Sequence, residues 1–263
     1  MLGCLLHWVY QLNLKLWDLI FQRKVNLKSI MSKNLIFSAT YDEKDNIEEL
    51  IEKINKYSLN SDILIIDDNS PDGTGNILNE LKKKNSNLEF IIRENKFGLD
   101  TAHKYAYDYA IKNGYEKLIT MDADLSHDPQ EISKFINLLD KHEFVIGSRY
   151  SKGGNCEMPF FRLILSIIGN KLIKFCMKLK CSEFTTSYRG FNLKKLQQFH
   201  LNQVKSKGYS FFMETIFRIN QKKFEIYETP INFKNRSRGE SKIPKIEIFR
   251  TLKNLFLLVI FDK

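Results

Sequence analysis

Residues 117–129 read KLITMDADLSHDP: a strand-like apolar run stops on two aspartates, Asp122 and Asp124, and passes into Ser126, His127, Asp128 and Pro129. Carboxylates this close repel each other unless a cation or solvent sits between them. Taken singly, an Asx-rich turn after a strand is ordinary, because Asp and Asn side chains bond their own backbone and tolerate unusual dihedrals. Working outward, the same pattern recurs. NLIFSAT (34–40) runs into TYDE, and DILIIDDNSPDGT (62–74) ends in a second acidic turn. Between them, DEKDNIEELIEKINKY has helical spacing at Ile47, Leu50, Ile51 and Ile54. NILNELKKKN then reads as a helix, LEFIIRE as a strand and DTAHKYAYDYAIKNG as a helix leading to the quoted strand.

Alternating strands and helices predict an α/β fold, a Rossmann-like, mostly parallel central sheet with helices on both faces. Such sheets bind ligands at the carboxyl ends of their strands. TYDE, DDNSPDGT and MDADLSHDP all fall there, in a chain whose formal charge is otherwise +10. Chemistry that needs carboxylates at this edge is the departure of a nucleoside diphosphate, whose growing negative charge a hard divalent cation neutralises while keeping several waters. Asp124 is the expected ligand, with Asp122 orienting the sugar or the metal-bound water, and Asp68 and Glu43 facing ribose and base. His127 either touches the metal or the acceptor, or is a turn histidine held by its neighbours.

A length of 263 residues with 43% hydrophobic content suits one main domain. The positive charge favours anionic partners. Nucleic acid is not expected among them, because carboxylates at the pocket repel phosphate unless a metal intervenes. Cys4, Cys156, Cys176 and Cys181 form no C-x-x-C pair, which fits a reduced, cytoplasmic setting. The first stretch, MLGCLLHWVYQLNLKLWDLIF, is broken by His7, Gln11, Asn13, Lys15 and Asp18 and is not a membrane span. Residues 1–30 are expected to be an extension, either an interfacial amphipathic helix or a segment without a role in the fold, ahead of a catalytic domain at 31–263. The C-terminal FRTLKNLFLLVIFDK is too short and too charged at its ends to span, and reads as an interfacial helix.

SATYDEKDN, IIDDNSPDGTG, FGLDTAH, MDADLSHDP, GSRYSKGG, FRLILS, KGYSFFMET and RSRGESK together resemble the ordered motifs of dolichyl-phosphate (polyprenyl-phosphate) mannosyltransferases, within the family 2 glycosyltransferases. The likeness runs from about Leu35 to about Leu258. It implies a GT-A nucleotide-sugar fold and inverting transfer of mannose from GDP-mannose to dolichyl or polyprenyl phosphate, with Mg2+ or Mn2+. It also implies residence on the cytoplasmic face of a membrane, with a membrane-spanning partner subunit as an option.

Position by position, the resemblance assigns the nucleotide sugar to Tyr41, Glu43, Ile66, Asp68, Asp122, Ala123, Asp124, Arg149, Arg236 and Lys242. It assigns the metal to Asp124, Asp122 and Ser126, the acceptor phosphate to Arg149, Arg162 and Ser166, and the catalytic roles to Asp122, Asp124 and Arg149. A glycosyltransferase using another nucleotide sugar, such as UDP-glucose, with a lipid phosphate or glycan acceptor is the alternative. The chain departs from the family pattern at Ala39 (proline in relatives), at Asp100 (glycine in relatives) and in EFTTSYR, 183–189, where Glu183 and Thr186 shape the acceptor side.

Overall fold

The computed structural model describes residues 34–58, 60–235 and 247–261. The proposed extension, residues 1–30, and the RSRGESK segment with Arg236 and Lys242 lie outside the described residues. In chain order the elements are β1 (Asn34–Thr40), α1 (Ile47–Tyr57), β2 (Ser61–Asp67), α2 (Thr74–Lys84), β3 (Leu88–Ile92), α3 (Leu99–Lys112), β4 (Lys117–Asp122), α4 (Ile132–Lys141) and β5 (Phe144–Ser148). After them come β6 (Asn155–Cys156), α5 (Phe160–Met177), β7 (Arg189–Asn192), α6 (Ser210–Gln221), β8 (Ile226–Pro230), β9 (Asn232–Phe233) and α7 (Glu247–Phe261).

Periodicity explains the first half. α1 buries Ile47, Leu50, Ile51 and Ile54, the positions spaced for one helical face, and places Glu48 and Glu49 in its first turn, where they complement the helix dipole. The central strands β1, β2, β4 and β5 are buried on both sides and alternate strictly. Leu35 and Phe37 of β1 enter one core with α3, the inner side of α5, α6 and α7, whereas Ile36 enters the other with α1, α2 and α4. Each fully buried Leu, Ile or Phe contributes about 1.5–3 kcal/mol relative to exposure. A one-residue slip of β1 would exchange both sets, so the register is firmly held.

The sheet order is β3-β2-β1-β4-β7-β5-β8. β1, β2, β3 and β4 are mutually parallel, as are β5 and β8, while β7 runs antiparallel to both of its neighbours. The expected mostly parallel α/β sheet is therefore present, with one reversed strand that the four residues RGFN do not announce. Because β7 is reversed, the chain entering it arrives at the edge where the parallel strands end. Segment 183–188 thus reaches the three acidic loops.

Two helices depart from ordinary amphipathicity. α5 exposes Phe160, Phe161, Leu165, Ile168, Leu172 and Phe175, and buries Asn170, Ile173 and Met177. Neighbouring α7 exposes Phe249, Phe256 and Ile260. Among the described residues no helix is long and apolar enough to cross a membrane.

Candidate active site

The acidic loops stand side by side because β2, β1 and β4 are adjacent. Asp42, Asn69 and Leu125, one in each loop, take φ of 56°, 56° and 61°, the left-handed region that non-glycine residues seldom adopt. Cross-loop bonds hold these turns. The Asp42 amide donates to Ser70 Oγ at 2.9 Å, the Glu43 amide to Thr74 Oγ1 at 3.1 Å and the Lys44 amide to Asp72 Oδ2 at 3.0 Å. Glu43 is buried and its Oε2 accepts from Asn46 Nδ2 at 2.8 Å. Ile66 is buried in the sheet core one residue before Asp67.

Asp68 pairs with Arg93 and accepts from the Gly98 amide at 2.9 Å. The Lys96 ammonium lies 3.4 Å from the centre of the Tyr41 ring, a cation–π contact. Arg93 and Lys96 follow β3 and escape motif reading, since their placement depends on the loop folding back toward Asp68 and Tyr41, whereas Gly98 falls within FGLDTAH. Asp100, one of the departures from the family pattern, is buried and accepts from the Gly208 amide at 3.1 Å, tying α3 to the entry of α6.

At the exit of β4, Asp122 Oδ1 accepts from Ser187 Oγ at 2.5 Å. Asp124 is buried, and its Oδ1 accepts from the Ser126 amide at 3.0 Å and from Ser126 Oγ at 2.6 Å. Ala123 is buried between the two aspartates. The Asp122 amide donates to His127 Nδ1 at 3.0 Å, which places the imidazole proton on Nε2, facing Thr186 Oγ1 at 3.2 Å. His127 is the turn histidine held by its neighbours. Burial lowers its pKa, although Asp122 and Asp124 pull the other way. Asp122 and Asp124 offer hard oxygen donors from one turn, and among the described residues no group of three His, Cys, Asp or Glu converges. That donor set fits a hard divalent cation completing its shell with diphosphate oxygens and water.

Arg149 is neither solvated nor open on all sides. Its side chain is 8% exposed and forks onto Glu183, which is 0% exposed, through Nε–Oε2 at 2.7 Å and Nη2–Oε1 at 2.8 Å. Nη2 also donates to Thr185 Oγ1 at 2.9 Å. Burial works against both charges, yet each outweighs it for the other: the guanidinium sits above its usual range and the carboxyl below its own. His127 feels the charges of Asp122, Asp124, Arg149 and Glu183 together, so both ends of the cluster meet at its ring.

Segment 183–187, which carries Glu183, Thr185, Thr186 and Ser187, is itself fixed from three directions. Arg189 Nε and Nη2 donate to the Thr186 and Phe184 carbonyls at 2.8 and 3.1 Å. Glu228 Oε1 accepts from the Ser182 and Glu183 amides at 2.9 and 3.0 Å. Asn170 of α5 accepts from the Phe184 amide. Ser166 of α5 accepts from the Tyr150 hydroxyl at 2.6 Å, and Arg162 is exposed one turn earlier on that helix. Of the residues expected on the acceptor side, Arg149 and Ser166 are thus linked through Tyr150, between the GSRY loop and α5.

A mostly parallel sheet that gathers a D-x-D turn and further acidic loops at its carboxyl edge is the GT-A architecture of glycosyltransferases. Residues 36–199 match the profile of glycosyl transferase family 2, and the chain belongs to that family. It is 33% identical over 214 residues to the polyprenol monophosphomannose synthase of Mycolicibacterium smegmatis, covering 80% of this chain and 81% of that protein. It is 31% identical over 205 residues to the undecaprenyl-phosphate mannosyltransferase of Micrococcus luteus, covering 78% and 84%. The fold resembles that of a mannosyltransferase from Pyrobaculum calidifontis solved with GDP-Man and Mn2+, with a TM-score of 0.55 at 14% identity over 86% of this chain and 69% of that one.

Proposed function

We propose that this glycosyltransferase moves mannose from GDP-mannose to a dolichyl or polyprenyl phosphate with inversion at the anomeric carbon. One juxtaposition carries the reading. Asp122, which with Asp124 suits a metal-bound diphosphate, is tied through His127 and Ser187 to the segment whose Glu183 forks onto Arg149, and the Arg149 loop bonds to an apolar-faced helix. A nucleoside diphosphate and a lipid phosphate meet in such a setting. The names of the two curated relatives support mannose as the sugar and a polyprenyl phosphate as the acceptor.

Asp122 and Asp124 would hold Mg2+ or Mn2+, which supplies charge neutralisation for the departing diphosphate. Tyr41, Glu43, Ile66, Ala123 and Asp68 would line the nucleotide, with Arg236 and Lys242 contributing from outside the described residues. An oxygen of the lipid phosphate attacks the anomeric carbon, and the bond to the GDP oxygen breaks with its electron pair leaving on GDP. A phosphate monoester, with a second pKa of about 6, is already largely dianionic at neutral pH. No general base is needed, and positioning by Arg149, Arg162 and Ser166 carries the acceptor side. α5 and α7 would seat on the cytoplasmic face of the membrane, their exposed rings in the interface and nearby lysines toward anionic headgroups.

The test is direct: purified protein, radiolabelled GDP-mannose, a short polyprenyl phosphate and Mg2+ or Mn2+, followed by counting the organic phase. Label from GDP-mannose and none from UDP-glucose is expected. Transfer from UDP-glucose alone would overturn the donor assignment.

A further inference from the structure

α5 is apolar on its outside and carries one side-chain amide on its inside. Asn170, 3% exposed, bonds in two directions: Oδ1 accepts from the Phe184 amide at 2.8 Å, and Nδ2 donates to the Ser166 carbonyl, one turn back in the helix, at 2.8 Å. A buried amide in an apolar helix costs desolvation that its hydrogen bonds must offset. A leucine would serve packing alone and leave the Phe184 amide without this acceptor. The Phe184 amide belongs to the segment in which Glu183 forks onto Arg149, Thr186 meets His127 and Ser187 holds Asp122.

We propose that Asn170 is a positioning residue: it pins α5 to segment 183–187, so that the seat of α5 sets where Glu183, and the Arg149 onto which it forks, stand. It rests on the transfer reading above and adds to it a link between the apolar helix and the reacting groups. The link acts through neighbours, since both of these Asn170 bonds are to backbone atoms, the Phe184 amide and the Ser166 carbonyl. The acceptor end is expected to feel it most, because Glu183, next to the bonded amide, is the sole residue that forks onto the Arg149 guanidinium among the described contacts. The donor loops after β1, β2 and β3 are held by their own cross-loop bonds and are independent of Asn170.

Steady-state kinetics on the full chain separate this from a role in stability. Asn170→Ala is expected to raise KM for a short polyprenyl phosphate in detergent by roughly five- to tenfold, the size of one lost positioning hydrogen bond. KM for GDP-mannose should stay unchanged. Wild-type lipid KM in Asn170→Ala, or equal rises for both substrates, overturns the assignment. Wild-type protein that labels no lipid at all would instead overturn the transfer reading.

Hydrogen exchange on the unmodified chain tests the link without a variant. Vesicles of phosphatidylcholine and phosphatidylglycerol should slow exchange in α5 and at the 183–187 amides together. Protection of α5 with no change at 183–187 would also overturn it.

Discussion

Ser187 reaches Asp122 across 65 positions of sequence, and its hydroxyl fixes one carboxylate oxygen before any ligand arrives. Removing a hydrogen bond to a charged group costs about 1.5–3 kcal/mol, so Ser187→Ala is expected to lower kcat/KM by roughly 10- to 100-fold with an unaltered circular dichroism spectrum. Asp124→Asn is more severe, since an amide lacks the charge that holds a hard cation. Transfer should vanish while the fold persists, and activity within a few-fold of wild type at saturating Mg2+ or Mn2+ would count against the assignment. His103 gives a stability handle away from the chemistry. It is enclosed by Phe37, Phe211 and Phe212, and burial, then Arg189, lowers its pKa to about 3.

Since unfolded His103 binds a proton below about 6.5 and the folded form does not, its contribution is complete above that pH and shrinks as pH falls toward 3. His103→Phe should therefore flatten the loss of unfolding free energy between pH 7 and pH 5 by about 2 kcal/mol, as read from urea titrations at the two pH values. Asp122 and Asp124 were legible in sequence because their residue type and place at a strand exit suffice. Ser187 and Asn170 were not, because an ordinary hydroxyl and amide gain meaning only once a reversed strand brings distant segments together.

Between β5 and β7 the Arg149–Glu183 pair is a structural clamp. Truncating one member leaves the other charged and buried, and Glu183→Ala is expected to cost about 3–5 kcal/mol of stability. Replacing both, as Arg149→Met with Glu183→Leu, should recover most of that loss without recovering transfer. Chemical denaturation of the single and double variants, alongside the transfer assay, checks both statements. β1 to β4 and α1 to α3 could be anticipated because their apolar periods are clean. β7 could not, at four residues, and α5 hides its nature because its apolar stripe faces outward, the reverse of the pattern that marks an ordinary surface helix.

For the molecule as a whole, a charge of +10 and the uncovered rings of α5 and α7 predict binding to anionic vesicles. Phe161 and Phe175 are each 81% exposed, so Phe161→Ser with Phe175→Ser should lower the floated fraction with little effect on the melting temperature. Salt should weaken binding without abolishing it, as the Debye length shrinks from about 10 Å at 0.1 M to about 3 Å at 1 M while apolar contacts remain. Flotation of the double variant equal to wild type would exclude α5 as the contact.

The reversed strand has a further consequence. The chain leaves the sheet after Ser148 and rejoins it at Arg189 on the adjacent strand, with Ile146 paired to Arg189. Residues 149–188 hold Arg149, Arg162, Ser166, Asn170 and Glu183 between two neighbouring attachment points. Recombination between relatives at those points would trade the segment proposed to handle the lipid as a cassette and leave the loops after β1, β2 and β4 in place, a route by which one scaffold could acquire new acceptors without relearning its donor.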